Sequence, residues 1–116
     1  MERTAEQVAT DHLEAVMAGD PVAMAADYAA DAVLERPGER FEGHAAIEAY
    51  FRTVPDRLGG ATVVFDGLVV DGDVASFRWH LEGLPDGAAA VAGVDTCVIE
   101  DGLIVHQRVR LEADDF

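Results

Sequence analysis

The chain has 116 residues, half of them hydrophobic, which fits one domain with its own core and excludes a disordered composition. Its net charge of −15 argues against binding nucleic acid or anionic membranes, because both require a basic footprint. No apolar run approaches the roughly 20 residues of a membrane span. The charged start "MERTAEQ" is unlike a signal peptide, so we expect a cytoplasmic protein.

The residue types present narrow the possible chemistry. All 8 basic residues are arginine, which excludes Schiff-base chemistry and a lysine-anchored pyridoxal cofactor. Cys97 has no second cysteine to pair with, and the only serine, Ser76, does not lie in a nucleophile elbow. There is no GxGxxG or P-loop motif, and the histidines lack metal-ligand spacing. We therefore expect neither a cofactor nor a metal.

The first half of the chain has the periodicity of helices. An apolar stripe typical of a first amphipathic helix contains Ala5, Val8, Ala9, His12, Leu13 and Val16. Gly19 ends it, and Asp20-Pro21 begins a second helix that is expected to extend to Tyr28. A short strand is predicted at residues 32–36, and a third helix begins at Gly43. Pro55 is expected to kink or shorten that helix.

From residue 61 the apolar period changes to two, which indicates strands. The stretch "ATVVFDGLVV" is followed by three more alternating segments, separated by the turn sequences "DGD", "LPDGA" and "EDG". Helices followed by hairpin-linked strands predict an α+β fold, with three N-terminal helices packed on a mostly antiparallel sheet.

Three polar residues interrupt the predicted apolar faces, namely His12, Asp95 and Gln107. A buried carboxylate is costly unless it is paired, hydrogen-bonded or protonated, so their convergence suggests a pocket with a polar floor. Each also has a simpler interpretation. His12 could be a satisfied core histidine, a bulge could turn Asp95 outward, and Gln107 could be a hydrogen-bonding residue with no chemical role.

Other side chains favour structural interpretations. Cys97 is most simply a small core residue. The opposite sheet face is most simply solvated or subunit-facing, and it carries Arg78, His80, Glu82, Arg108 and Arg110.

Three stretches resemble the nuclear transport factor 2-like superfamily, which includes SnoaL-like polyketide cyclases, ketosteroid isomerases and limonene epoxide hydrolases. They are "MAGD" at 17–20, "AADAVLERP" at 29–37 and "GHAAIEAYF" at 43–51. The resemblance implies one domain spanning 1–116, with a cone of helices and curved sheet around a hydrophobic pocket. It also implies a homodimer through the sheet. It specifies the fold better than the function, because this fold hosts enzymes and binding modules alike.

The ketosteroid isomerase branch can be compared position by position. Its oxyanion-hole aspartate falls on Asp95, its oxyanion-hole tyrosine on His12, and its base aspartate on Arg36. An arginine is not an ordinary base near neutral pH, so the comparison argues against steroid double-bond isomerisation.

The other two branches are less informative. The water-activating aspartates of the epoxide hydrolases fall on His80 and Val109, which makes that activity a weaker alternative. The polyketide cyclases use an acidic or histidine base in the pocket, a role that His12 or Asp95 could fill.

Two classes of function remain open. In the first, a His12–Asp95 pair performs acid/base chemistry next to a carbonyl of a small hydrophobic substrate, and Arg36 binds or polarises that carbonyl. Further expected substrate-binding residues are Tyr28, Tyr50, Phe51, Trp79, Cys97, Gln107 and Val109. In the second, the domain binds a ligand or dimerises without catalysis, and His12 is merely buried. Structural ion pairs then form between Arg36 and Asp95, or between Glu35 and Arg36 with their neighbours. Strand alternation also leaves open whether Arg36 or Glu35 faces the interior.

Overall fold

The computed structural model describes residues 3–84, 87 and 91–111. Helices and strands follow in the order α1 (Ala5–Ala18), α2 (Pro21–Ala26), β1 (Tyr28–Arg36), β2 (Glu39–Glu42), α3 (His44–Leu58), β3 (Thr62–Asp71), β4 (Val74–Glu82), β5 (Ala92–Glu100) and β6 (Leu103–Leu111). The expected α+β architecture is therefore confirmed. No helix in the described part of the chain is both long and apolar enough to cross a membrane.

Local sequence signals explain where the first two helices begin and end. Thr4 and Gln7 form a reciprocal capping box at the start of α1, and Gly19 ends it in the left-handed conformation at φ 68°. Asp20 then caps α2 by accepting hydrogen bonds from the Val22 and Ala23 amides, with Pro21 in the first turn. The short connection holds α1 and α2 side by side over the sheet.

The strands form one six-stranded sheet in the order β2-β1-β6-β5-β4-β3. All neighbours are antiparallel except β1 and β6, which run parallel. This parallel pairing joins the N-terminal half of the chain to its last strand, aligning Leu34 with Gln107. It therefore places β1, which directly follows α2, in the same sheet as Asp95 and Gln107.

Four local expectations need correction or completion. Tyr28 does not lie in α2 but begins β1, which is consequently longer than the predicted 32–36. The sequence did not predict β2, whose residues pair with β1 beyond a tight turn. Pro55 does not shorten α3, which continues to Leu58 with the proline inside it. The predicted turn at 84–88 lies largely outside the described residues.

Alternation along β1 decides the direction of its last side chains. Arg36 is buried with 5% exposure, whereas Glu35 is partly exposed and contacts His106 Nε2 at 2.8 Å on the other face. Arg36 rather than Glu35 thus faces the interior. The outward direction predicted for Arg78, Glu82, Arg108 and Arg110 is also confirmed.

Candidate functional site

An apolar cavity of about 80 Å³ lies between the helices and the inner face of the sheet. Its polar lining comes from residues of five elements, namely His12, Tyr50, Trp79, Asp95 and Gln107, within an otherwise apolar wall. The wall also contains Phe51 and Val109. A second concavity of about 230 Å³ shares Val16, Met24, Phe51, Val54, Leu58 and Val63 with it. Ligand pockets typically hold roughly 300–1,000 Å³, so a larger ligand requires the shared side chains to move.

Asp95 is the buried carboxylate of this cavity, with 8% exposure. Trp79 Nε1 donates a hydrogen bond to Oδ1 at 2.8 Å, and Gln107 Nε2 donates one to Oδ2 at 2.7 Å. Burial raises the pKa of Asp95 to about 6, although the two hydrogen bonds and the charges of His12 and Arg36 oppose the shift. The carboxyl group can therefore gain and lose a proton close to neutral pH.

The packing of Trp79 against Asp95 depends on a residue without a side chain. A Cβ on Gly93, which pairs with Trp79 across β4 and β5, would lie 2.5 Å from the indole Cζ2 atom. Gly93 thus leaves the space in which the indole can reach Asp95.

His12 is buried on α1 with 2% exposure and contacts a different carboxylate from the one expected. Its Nδ1 atom lies 3.4 Å from Oδ2 of Asp27, and its Nε2 atom lies 3.4 Å from the Tyr28 hydroxyl. Arg3 Nη1 contacts the other oxygen of Asp27 at 2.8 Å. Burial alone would raise the pKa of Asp27, but His12 and Arg3 together lower it, so this carboxylate is ionised.

Asp95 and His12 do not contact each other directly, contrary to the expected pair. The Tyr28 hydroxyl donates a hydrogen bond to Gln107 Oε1, and the Gln107 amide donates to Asp95. The chain Asp95–Gln107–Tyr28–His12–Asp27 therefore connects two cavity-lining titratable residues through two uncharged side chains.

Arg36 contacts Tyr50, which lines the cavity. It does not belong to the cavity lining but to a surface groove with Arg108 and Arg110. Its Nη1 atom donates a 2.8 Å hydrogen bond to the Tyr50 hydroxyl, and Nε lies 3.1 Å from Glu39. Arg36 thus touches a residue of the cavity wall without being part of it, and the expectation that it contacts a bound carbonyl stays a prediction.

The structure brings most of the predicted substrate-binding residues to the cavity wall. Those that line it are Tyr50, Phe51, Trp79, Gln107 and Val109. Tyr28 and Cys97 are buried, but neither is part of the lining. Burial raises the pKa of the Cys97 thiol well above its ordinary value, as expected for an inert core cysteine.

Sequence reasoning missed Asp27. It lies just after α2, where the pattern "AADYAAD" offers no periodicity that separates a buried aspartate from an exposed one. Its position at the α2–β1 junction is the only signal that could have pointed to it. Over residues 3–84, 87 and 91–111, no three histidine, cysteine or acidic side chains converge as metal ligands.

Helices packed on an open, six-stranded mixed sheet define a protein of the nuclear transport factor 2-like, or cystatin-like, fold. The family model of the SnoaL-like domain matches residues 9–107, so the chain belongs to the SnoaL-like family. The resemblance found in the sequence is thereby confirmed. No curated protein matches this chain at a significant level of sequence similarity.

Solved structures share this fold. A candidate polyketide cyclase from Sinorhizobium meliloti superposes with a TM-score of 0.73 at 27% identity, over 89% of this chain and 93% of that one. A candidate ketosteroid isomerase from Kribbella flavida gives 0.79 at 21% identity, over 97% and 80%. An NTF2-like protein from Burkholderia thailandensis gives 0.78 at 24% identity, over 95% and 92%. The last two likenesses show the fold alone.

Proposed function

We propose that this protein is a cofactor-independent enzyme that moves a proton next to a carbonyl of a small, hydrophobic substrate, in an isomerisation, cyclisation or dehydration. The observation that carries the proposal is the environment of Asp95. This carboxyl group lies at an apolar cavity and is held by Trp79 and Gln107. A general base is most effective when its pKa is near the working pH, and the pKa of Asp95 is about 6.

Tyr50 is the proposed donor to the substrate carbonyl. Its oxygen accepts a hydrogen bond from Arg36, whose positive charge polarises the phenol. A polarised hydroxyl in a cavity with an apolar wall stabilises the negative charge that develops on oxygen when a neighbouring carbon loses a proton. Arg36 acts in this proposal as a positioning residue behind Tyr50.

His12 is the second proposed proton-transfer group, held in orientation by Asp27. A carboxylate next to Nδ1 selects the tautomer and stabilises the protonated ring, which lets the imidazole exchange a proton at the cavity. With Asp95 as the base, the two residues can remove a proton at one substrate atom and supply one at another.

The same arrangement disfavours steroid double-bond isomerisation of the familiar kind. The position that corresponds to that enzyme's base holds Arg36, which cannot accept a proton near neutral pH. Asp95 accepts two hydrogen bonds where the corresponding aspartate donates one.

The test uses Asp95→Asn and His12→Ala against a panel of ketones, enones and small polyketides. We expect each variant to lose activity by about 10²–10⁴-fold, the contribution of a positioned acid or base. Asp66→Asn and His80→Ala are controls with the same residue types, because Asp66 and His80 contact each other at 2.7 Å on the outer face of the sheet, away from the cavity. Full turnover in both cavity variants would refute the assignment.

Substrate binding without turnover at any pH would favour the alternative, a non-catalytic ligand-binding or dimerisation module. The expected homodimer through the sheet also stays a prediction. Sedimentation or light scattering would test it, and a monomer at micromolar concentration would contradict it.

A further inference from the structure

Four contacts in a row connect Asp95 to Asp27 beneath the cavity. They are Asp95–Gln107, Gln107–Tyr28, Tyr28–His12 and His12–Asp27. Each of the first three contacts joins two polar atoms at hydrogen-bond distance and is favourable only when one hydrogen lies between them. In the fourth, His12 Nδ1 lies 3.4 Å from the Asp27 carboxylate outside hydrogen-bond geometry, and a hydrogen on Nδ1 faces that negative charge more favourably than a lone pair does. The row therefore needs four hydrogens, and their sources can be counted.

The uncharged members supply two of the four. The Gln107 amide presents N–H to one neighbour and its oxygen to the other, so it provides one hydrogen whichever way it is turned. The Tyr28 hydroxyl provides one, because burial raises its pKa well above the ordinary value and keeps it protonated. Asp27 provides none, because it is ionised next to Arg3. His12 and Asp95 must together supply the remaining two.

Two arrangements satisfy that count. In the first, Asp95 is ionised and His12 is an imidazolium with a hydrogen on each nitrogen, one directed at Tyr28 and one facing Asp27, while Gln107 donates to Asp95 as observed. In the second, Asp95 is protonated and donates to Gln107, the amide has turned by 180°, and the Tyr28 hydroxyl donates to a neutral His12. The amide oxygen and nitrogen exchange places, so the heavy-atom positions are the same in both.

We propose that His12 and Asp95 share one proton, and that Gln107 and Tyr28 are positioning residues which hold the pair in opposite protonation states. Adding a second proton to the His12–Asp95 pair leaves one of the four contacts with two hydrogens. Removing the shared proton from the pair leaves one contact with no hydrogen. Either mismatch leaves a buried polar group without a proper hydrogen bond, which destabilises that protonation state. The two residues therefore titrate as a coupled pair.

The surrounding charges are compatible with this pairing. His12 faces Asp27 from the α2–β1 junction, Tyr28 from β1 and the ring of Phe51 from α3. Asp95 faces Trp79 from β4 and Gln107 from β6, and it also senses the charges of His12 and Arg36. The thiol of Cys97, on its own strand, is protonated because its pKa is raised.

The catalytic consequence rests on the proposed function, whereas the coupling does not. When Asp95 takes a proton from a substrate C–H bond, the network favours transfer of the Nε2 proton of His12 to a second substrate atom, after which Nε2 accepts a hydrogen bond from Tyr28 instead of donating one. The substrate gains and loses one proton, and the charge of the protein is unchanged. The Gln107 amide then turns and the Tyr28 hydroxyl redirects its hydrogen to His12, which gives the second arrangement. Loss of a proton from Asp95 to water and gain of one by His12 from water restore the first. This suits a proton relocation better than a net hydrolysis.

The test needs no substrate, so it is separate from the test of the function. The ring nitrogens of His12 and the carboxyl carbon of Asp95 are followed by NMR from pH 4 to 9. In the wild type, we expect both nuclei to report the same two titration steps, separated by more than about one pH unit. In Tyr28→Phe and Gln107→Met, which break the row without changing any charge, each nucleus should report one independent step.

Tyr50→Phe is the matched control, because it removes a phenol from the same cavity outside the row and should leave both steps in place. Single, independent titrations of His12 and Asp95 in the wild type would overturn the proposal. So would a two-step pattern that persists in both Tyr28→Phe and Gln107→Met. Loss of turnover in Tyr50→Phe with an intact two-step titration would support the coupling and the proposed function separately.

Discussion

Asp27, which ends the α2 segment, lies 3.4 Å from Nδ1 of the buried His12 on α1. The carboxylate in contact with this histidine therefore comes from a junction close to it in the chain, whereas Asp95 on β5 connects to its other nitrogen through Gln107 and Tyr28. The arrangement separates two roles that one His–Asp pair would have combined. Asp27 orients and stabilises, while Asp95 remains able to titrate.

The protonation of Asp95 should make folding stability depend on pH in an unusual direction. Its pKa is raised from 3.8 to about 6 in the folded protein, so the folded state binds the extra proton between these values. Its contribution to stability thus falls as the pH rises from 4 to 6, by about 3 kcal/mol at most. Urea unfolding should be measured for the wild type and for Asp95→Asn across this range. The free energy of unfolding of the wild type should fall relative to that of the variant as the pH rises from 4 to 6. A pH-independent difference would contradict the shift.

Asp27 should have the opposite effect. Its folded pKa lies below the ordinary value, so it stabilises the protein above that value and this contribution is lost as the pH falls through the folded pKa. We expect Asp27→Asn to lower the free energy of unfolding at pH 7 by about 1–3 kcal/mol. Asp11→Asn is the control, because Asp11 contacts the same Arg3 at 3.1 Å but is exposed. That variant should change stability by less than about 1 kcal/mol. Equal effects of the two variants would show that burial of Asp27 is unimportant.

The contact of Arg36 with Tyr50 should make the effects of substituting the two residues on kcat non-additive. If Arg36 acts through the phenol, Tyr50→Phe and Arg36→Met should each lower kcat by about 10²–10³-fold with little change in KM. The double variant should be no worse than the more damaging single one, because both remove the same interaction. Arg36→Lys keeps the charge but loses the planar guanidinium, and we expect partial activity. Multiplicative losses in the double variant would instead indicate that Arg36 and Tyr50 act independently.

Gly93 should be intolerant of even one methyl group. Gly93→Ala would place Cβ 2.5 Å from the Trp79 ring and 2.8 Å from the Arg110 carbonyl oxygen, so the indole must move away from Asp95. We expect a loss of about 1–3 kcal/mol in stability and a changed indole Nε1–H resonance. Gly67→Ala in β3 is the control, since no atom lies within 4 Å of its Cβ position. An unchanged indole resonance in Gly93→Ala would show that the ring is not displaced.

The sequence by itself determined the elements in which local signals agree. The capping residues around α1 and α2, the 3.6-residue stripe containing Val8 and His12, and the period of two from β3 onward each reflect neighbouring residues only. The same alternation correctly placed Asp95 and Gln107 on the buried face. Together with three short motifs, it was enough to identify the fold class and the family.

Only the tertiary structure decided how the site is connected. Tyr28 was predicted in a helix because its spacing continued that of α2, but pairing with Ile104 on β6 places it in a strand. This parallel pairing is long-range in sequence, and it is what brings Tyr28 to Gln107. Whether Arg36 or Glu35 faces inward was likewise undecided, because a change of register by one residue exchanges the two faces of a strand. The physical reason is the same in each case. Local periodicity specifies which residues are buried, while contacts between distant segments specify which buried residues meet.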